Sequence, residues 1–281
     1  MATEKTRNPQ TRLRGERFAD KITTRLWQEI PSPGNPYIAR SSRCHGYQLS
    51  ELIEKRSYAD VVFLLFKGEL PTAKQSRLLE SLMIGLINPG PRHPATRSAI
   101  SAAVSKTHPE HLLPIALSVL SGAHLGAAEV SQAMRFISKN MGVPPGDAAK
   151  RLLRTEEKAG QGDWHIAPGF GSRFGGEDLL TADLAEALCR HADEEGPLLW
   201  ARAFVECLPP CSMGWLPTGL AAAVFCDLGF SHRSGPGLFQ LISAPGLLAH
   251  GLEFANKPIT SVPFIDNDHY VMNMKRRPRS G

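Results

Sequence analysis

An almost wholly helical protein is predicted by three observations. Helical periodicity dominates from residue 48 onward, strand-like alternation is nearly absent, and glycines and prolines punctuate the periodic segments. Strand is expected only as short hairpins near residues 25–45. In order, Gln48 to Lys55 opens one helix. Tyr58 to Lys67 carries apolar residues all round and is expected to be buried, ending at Gly68. Pro71-Thr72 supplies an N-cap signal for Ala73 to Leu86. Asn88 to Pro94 holds three prolines in seven residues, a stiff connector that cannot sustain a helical ladder. Ala95 to Ser105 follows, and Leu112 to His124 reads as running on to Lys139.

Beyond the turn Gly142-Val-Pro-Pro-Gly, Asp147 to Lys158 is a charged amphipathic helix. A glycine-rich break then spans Gly160-Gln-Gly and Pro168 to Gly176. Asp178 to Asp193, Glu195 to Leu208 and Thr218 to Leu228 read as helices, the last ending at Gly229. Pro236 to Phe254 reads as another, with Pro245 expected to kink or restart it.

Composition narrows the function. The 281 residues are 42% hydrophobic and 21% charged, which is ordinary for a globular protein. The longest apolar runs, Val61 to Phe66 and Leu220 to Phe225, are far too short to span a bilayer. Met1 to Arg17 is polar and basic without the apolar stretch of a secretory signal. Five cysteines (Cys44, Cys189, Cys207, Cys211, Cys226) are scattered, and Pro209-Pro210 fills the gap between the nearest two. Free thiols in a reducing, cytoplasmic setting are expected, with no metal site and no membrane partner. The net charge of +5 gathers at the ends, in Lys5 to Arg17 and in Lys275, Arg276, Arg277 and Arg279. No aromatic residues interleave with these charges, so solvated tails are the plainer reading and nucleic acid is not an expected partner.

Four segments in order resemble the citrate synthase superfamily, closest in size and ending to citryl-CoA lyase and the citrate synthase-like domain of ATP-citrate lyase. Cys44-His-Gly-Tyr-Gln-Leu-Ser-Glu-Leu-Ile through Leu65-Phe-Lys-Gly-Glu-Leu-Pro-Thr is similar to the family's RGYDIxDL…LLxGELPT opening. Ser121-Gly-Ala-His-Leu-Gly-Ala-Ala-Glu is similar to GPLHGGANE, Pro168-Gly-Phe-Gly-Ser-Arg to GFGHR, and Leu248-Ala-His-Gly-Leu-Glu to AHVLE. Asp266-Asn-Asp-His-Tyr-Val resembles the family's closing DYVG. The resemblance implies an all-α, citrate synthase-like fold: a large helical domain, a smaller inserted helical domain, and an active-site cleft between them. The large domain would be 41–126 with 226–272, and the small one 127–225. An N-terminal arm (1–40, partly flexible) and a basic tail (273–281) would flank them. A homodimer is also implied, which would suit the small-residue helix around Leu112 to Ala123.

Making or breaking a carbon–carbon bond beside a thioester needs a base for the α-proton and donors for the enolate and ketone oxygens. A keto-diacid also needs arginines. The resemblance implies that His124 bonds the thioester oxygen and that His93, 31 residues upstream, contacts the keto acid. Ser172 stands where the family has its ketone-polarising histidine, and it donates a hydrogen bond without carrying a proton at neutral pH. Gly169 and Gly171 would offer backbone N–H groups to coenzyme A phosphates, and Arg173 matches the family arginine beside them.

Two departures stand out. The catalytic carboxylate falls on Thr218, and Asp227, nine residues on, is poorly placed to substitute. Glu129 and the tail aspartates are other candidate bases without support. The family's three further arginines fall on Gly176-Glu-Asp-Leu-Leu, on Ser243 and on Ile265-Asp-Asn. The expected function is therefore citryl-CoA lyase or citrate synthase-like chemistry on a coenzyme A thioester and a small keto or carboxylic substrate, altered because the base and clamp are missing. The alternative is an inactive relative that binds coenzyme A or a protein.

Overall fold

The computed structural model describes residues 18–155, 164–210 and 212–273. These fall into two compact units, one up to Ser57 and one from Tyr58 onward. Both basic termini, Cys211 and residues 156–163 lie outside the described residues.

The first unit is an antiparallel sheet of β1 (Trp27–Ser32), β2 (Asn35–Cys44) and β3 (Tyr47–Gln48), followed by α1 (Leu49–Lys55). His45 and Gly46 both have positive φ, 47° and 89°, as a two-residue hairpin between twisted strands requires. The sheet occupies the region where hairpins were expected.

The second unit is helical. It opens with α2 (Tyr58–Lys67), α3 (Ala73–Gly85), α4 (Pro94–Val104) and α5 (Pro109–Leu120). Thr72 caps α3 as anticipated: its hydroxyl accepts from Gln75 N–H at 3.2 Å, and the Gln75 side chain accepts from Thr72 N–H at 2.9 Å. Helix α2 buries Ala59, Val62, Phe63 and Leu64 but leaves Phe66 half exposed, so it is not buried all round.

The helix read as continuous from Leu112 to Lys139 is in fact two. Between α5 and α6 (Ala127–Asn140), residues 121–126 turn sharply through Leu125 at φ 52°. A side chain at Gly126 would sit 2.3 Å from the Gly122 carbonyl oxygen, so only glycine permits this turn.

Next come α7 (Pro145–Thr155), β4 (Trp164–Ala167), β5 (Phe170–Ser172), α8 (Leu179–Cys189) and α9 (Pro197–Glu206). The chain continues with β6 (Gly214–Trp215), α10 (Pro217–Asp227) and α11 (Gly235–Ala255). Strands β4, β5 and β6 form a second antiparallel sheet that the sequence reading missed, because two to four residues per strand are too few to show alternation. Helix α11 runs unbroken through Pro245, so the proline does not restart it, and the Gly246 N–H beside it donates to Ile87 O at 3.1 Å.

Helix α10 is the centre of the core, with every residue from Thr218 to Phe225 buried, and it packs along α6. Helix α11 packs on α4, α5 and α6. Phe170 on β5 is enclosed by Phe136, Phe204 and Trp215, with ring centroids 5.2–6.0 Å away. These contacts fix the β4–β5 hairpin against α6, α9 and β6. Among the described residues no helix is long and apolar enough to cross a membrane.

Candidate functional site

Glu129 lies in the first turn of α6 and its side chain is almost wholly buried. Isolated, an ionised carboxylate in that position would be costly, so its partners matter. Four donors reach it. His165 Nδ1 lies 2.5 Å from Oε1, and Gly169 N–H donates to the same oxygen at 3.0 Å. Leu125 N–H donates to Oε2 at 3.0 Å and the Thr218 hydroxyl at 2.9 Å. Burial pushes the Glu129 carboxyl upward, but His165, Gly169 and Thr218 together outweigh it and hold the group below the usual glutamate range. The carboxylate is therefore ionised, and His165 carries its proton on Nδ1.

The glycines of the 168–171 turn serve this arrangement. A side chain at Gly219 would lie 1.9 Å from the Gly169 carbonyl oxygen, so α10 and the turn touch backbone to backbone. Gly169, at φ 80°, thereby directs its N–H to Glu129. The expectation that Gly169 and Gly171 offer their N–H groups to phosphates is thus corrected at Gly169, whose N–H is already used. Gly171 is buried within the strand ladder, paired with His165 and Gly214.

Three histidines converge on the α5–α6 turn. His124 is exposed, and its ring stacks on that of His165 with centroids 4.9 Å apart and planes 19° apart. His93 precedes α4; its Nδ1 accepts from Ala95 N–H at 3.1 Å, so its proton sits on Nε2, 3.2 Å from Leu125 O. Burial first, then the nearby charges of Arg173 and His124, hold His93 below the usual histidine range, against the opposing Leu125 bond. Leu125, in the left-handed region, is thus pinned through its N–H to Glu129 and through its carbonyl to His93. Both nitrogens of His93 are occupied within the protein, which makes it a brace of the turn carrying His124.

Beside the turn is a cavity of about 150 Å³ walled mainly by leucines, prolines and Phe239, with His93, Asn88, Arg173, Asp178, Thr181 and Ser243 as polar groups. Arg173 Nη1 binds Asp178 Oδ2 at 3.1 Å, so the cavity's arginine is already neutralised. Asp178 also caps α8, accepting from Thr181 N–H at 3.1 Å.

Of the sequence-chosen residues, the structure brings His93, His124 and Arg173 together. Ser172 is buried on β5 opposite Trp164 and is not among the residues walling this cavity. Asp227 accepts from Leu198 N–H (3.2 Å) and Asp193 N–H (3.3 Å), capping α9 instead of supplying a base. Burial, opposed by those two bonds, pushes its carboxyl upward. His165 was missed altogether, although a histidine four residues before Gly169 was visible in the sequence.

Solved structures share the fold of this helical core. Citryl-CoA lyase from Hydrogenobacter thermophilus is similar over 92% of this chain and 96% of its own, with 25% identity and a TM-score of 0.71. ATP citrate lyase from Methanothrix soehngenii, in complex with citrate and coenzyme A, matches 92% of this chain at 16% identity and a TM-score of 0.68. This chain spans only 44% of that lyase. Citrate synthase from Thermotoga maritima MSB8 matches 92% of this chain and 95% of its own, at 14% identity and a TM-score of 0.52. The chain has the citrate synthase-superfamily fold. No protein-family profile matches the sequence, and no curated protein matches it either.

Proposed function

We propose that the protein acts on a coenzyme A thioester by carbon–carbon bond cleavage or formation, in the manner of citryl-CoA lyase. The observation that carries this reading is His124, held at the exposed end of a braced turn within a citryl-CoA lyase-like fold. A donor held rigidly at a thioester oxygen stabilises the enolate without reorganising during the reaction. In this reading Arg173 faces coenzyme A, while the 168–171 turn holds Glu129 through the Gly169 N–H. Ser172 lies buried on β5, paired with Trp164.

The partner substrate is proposed to carry less charge than oxaloacetate. Leucines and Phe239 wall the cavity, Ser243 stands where an arginine would clamp a carboxylate, and Arg173 is tied to Asp178. A tricarboxylate would have to break that ion pair without gaining a second cation.

A two-lobed division, 41–126 with 226–272 against 127–225, and a homodimer complete the proposal. The α5 helix expected at the dimer surface buries Leu112, Ala116 and Leu120 within the chain and leaves Val119 exposed. An apolar groove lined by Tyr58, Met83, Ile84, Ile87, Leu241 and Pro245 suits a second copy better. Light scattering of the purified protein tests this: a monomer at micromolar concentration contradicts it.

The catalytic reading is tested by coenzyme A release from citryl-CoA. Cleavage that falls by ~10²-fold or more in His124→Ala supports it. Coenzyme A binding without turnover favours an inactive relative instead.

A further inference from the structure

Building on the thioester chemistry proposed above, we infer that His165 is the base of the site, its Nε2 taking the α-proton of the bound acyl-CoA, with Glu129 as its positioning residue. Four observations converge on it.

The residue standing at the expected base position, Thr218, is neutral, yet its hydroxyl touches a carboxylate that arrives from a different helix. That carboxylate cannot itself take the substrate proton, because four donors already fill its two oxygens. What it does is orient His165. A carboxylate bonded to Nδ1–H fixes the tautomer and leaves Nε2 with the lone pair, the arrangement by which a base is prepared and aimed by a third group. Nε2 is buried and has no hydrogen-bond partner among the described residues. Buried polar atoms are nearly always satisfied, so an unsatisfied one beside reactive groups marks a place for a ligand.

The location also fits. The His165 ring lies against His124, the donor proposed for the thioester oxygen. The α-carbon of a thioester is one bond from its carbonyl carbon, so adjoining imidazoles can serve the two atoms. Finally, His165 pairs across the hairpin with Gly171, the residue before Ser172. A histidine is thus absent from β5 at 172 and present one strand away.

The step balances without a co-reactant. The α C–H bond breaks, its proton passes to Nε2, and the electron pair moves into the thioester as an enolate held by His124. Return of a solvent-derived proton from Nε2 restores the starting thioester.

Deuterium uptake into the methyl group of acetyl-CoA, followed by mass spectrometry in deuterated water, isolates this step from the second substrate. The full-length wild type is expected to exchange. His165→Gln should slow exchange by ~10²-fold or more, the usual worth of a general base, and Glu129→Gln should slow it too. Asp227→Asn should exchange like wild type. Melting curves with and without acetyl-CoA establish that each variant folds and binds; if His165→Gln does not fold, His165→Asn replaces it. Undiminished exchange in a folded His165 variant overturns the assignment while leaving the thioester reading intact. So does loss of exchange in folded Asp227→Asn, or a wild type that binds acetyl-CoA and exchanges nothing. A wild type that binds no coenzyme A species removes the thioester reading, and this assignment with it.

Discussion

Thr218 donates its hydroxyl to Glu129 Oε2 at 2.9 Å, joining the first turn of the core helix to a carboxylate 89 residues earlier in the chain. A neutral side chain at 218 thus serves a negative charge that sits one hydrogen bond away. Replacing Thr218 with valine keeps the shape and removes the donor. Stability should fall by about 1–3 kcal/mol, the usual penalty for an unpaired buried acceptor, measured by chemical denaturation.

Acid should unfold the protein in two stages. His93 has its pKa lowered on folding, so the folded state binds its proton less readily than the unfolded chain. Its contribution is full above the ordinary value of 6.5 and is lost as pH falls below it. Glu129 is also lowered, from 4.5, so its contribution is present above that value and lost as pH drops further. Melting temperature against pH should show both losses, and Glu129→Gln should abolish only the more acidic one.

The contact between Gly219 and Gly169 leaves no room for a side chain. Gly219→Ala places a methyl 1.9 Å from the Gly169 carbonyl oxygen. Overpacking of this kind typically costs 1–3 kcal/mol. The turn would move away from Glu129, so coenzyme A thioester turnover should fall along with the denaturation midpoint.

His93 is a brace, and its removal should act through the turn. His93→Ala deletes the α4 cap and the bond to Leu125. Loss of a cap is worth about 0.5–2 kcal/mol. His93→Asn, which can still cap, should recover part of the stability in thermal melts; equal losses in both variants contradict the capping role.

Much of the fold was legible because long amphipathic helices announce themselves. Thr72, Gly68 and Gly229 mark ends that the structure keeps. The break after Leu120 was hidden because alanine- and serine-rich sequence around His124 is compatible with helix, and only the left-handed Leu125 reveals the turn. The β4–β5–β6 sheet was hidden by its brevity. Where a motif is local, as at His124 and Arg173, the sequence offers candidates, and the structure sets both near His93. The site was not legible where the partner comes from elsewhere: nothing near Glu129 indicates that His165 and Thr218, 36 and 89 residues away, would meet it. Position 218 is neutral in the sequence, and only the fold shows that it touches a carboxylate from 89 residues earlier.

The most direct measurement is a thermal-shift titration with coenzyme A, acetyl-CoA and oxaloacetate, separately and together. A ligand at 100 times its dissociation constant adds about 2.7 kcal/mol, a readily visible shift. Stabilisation by the coenzyme A species, with little from oxaloacetate, is the expected result. No response to any coenzyme A species, or a strong response to oxaloacetate alone, would contradict a thioester site with an altered second substrate.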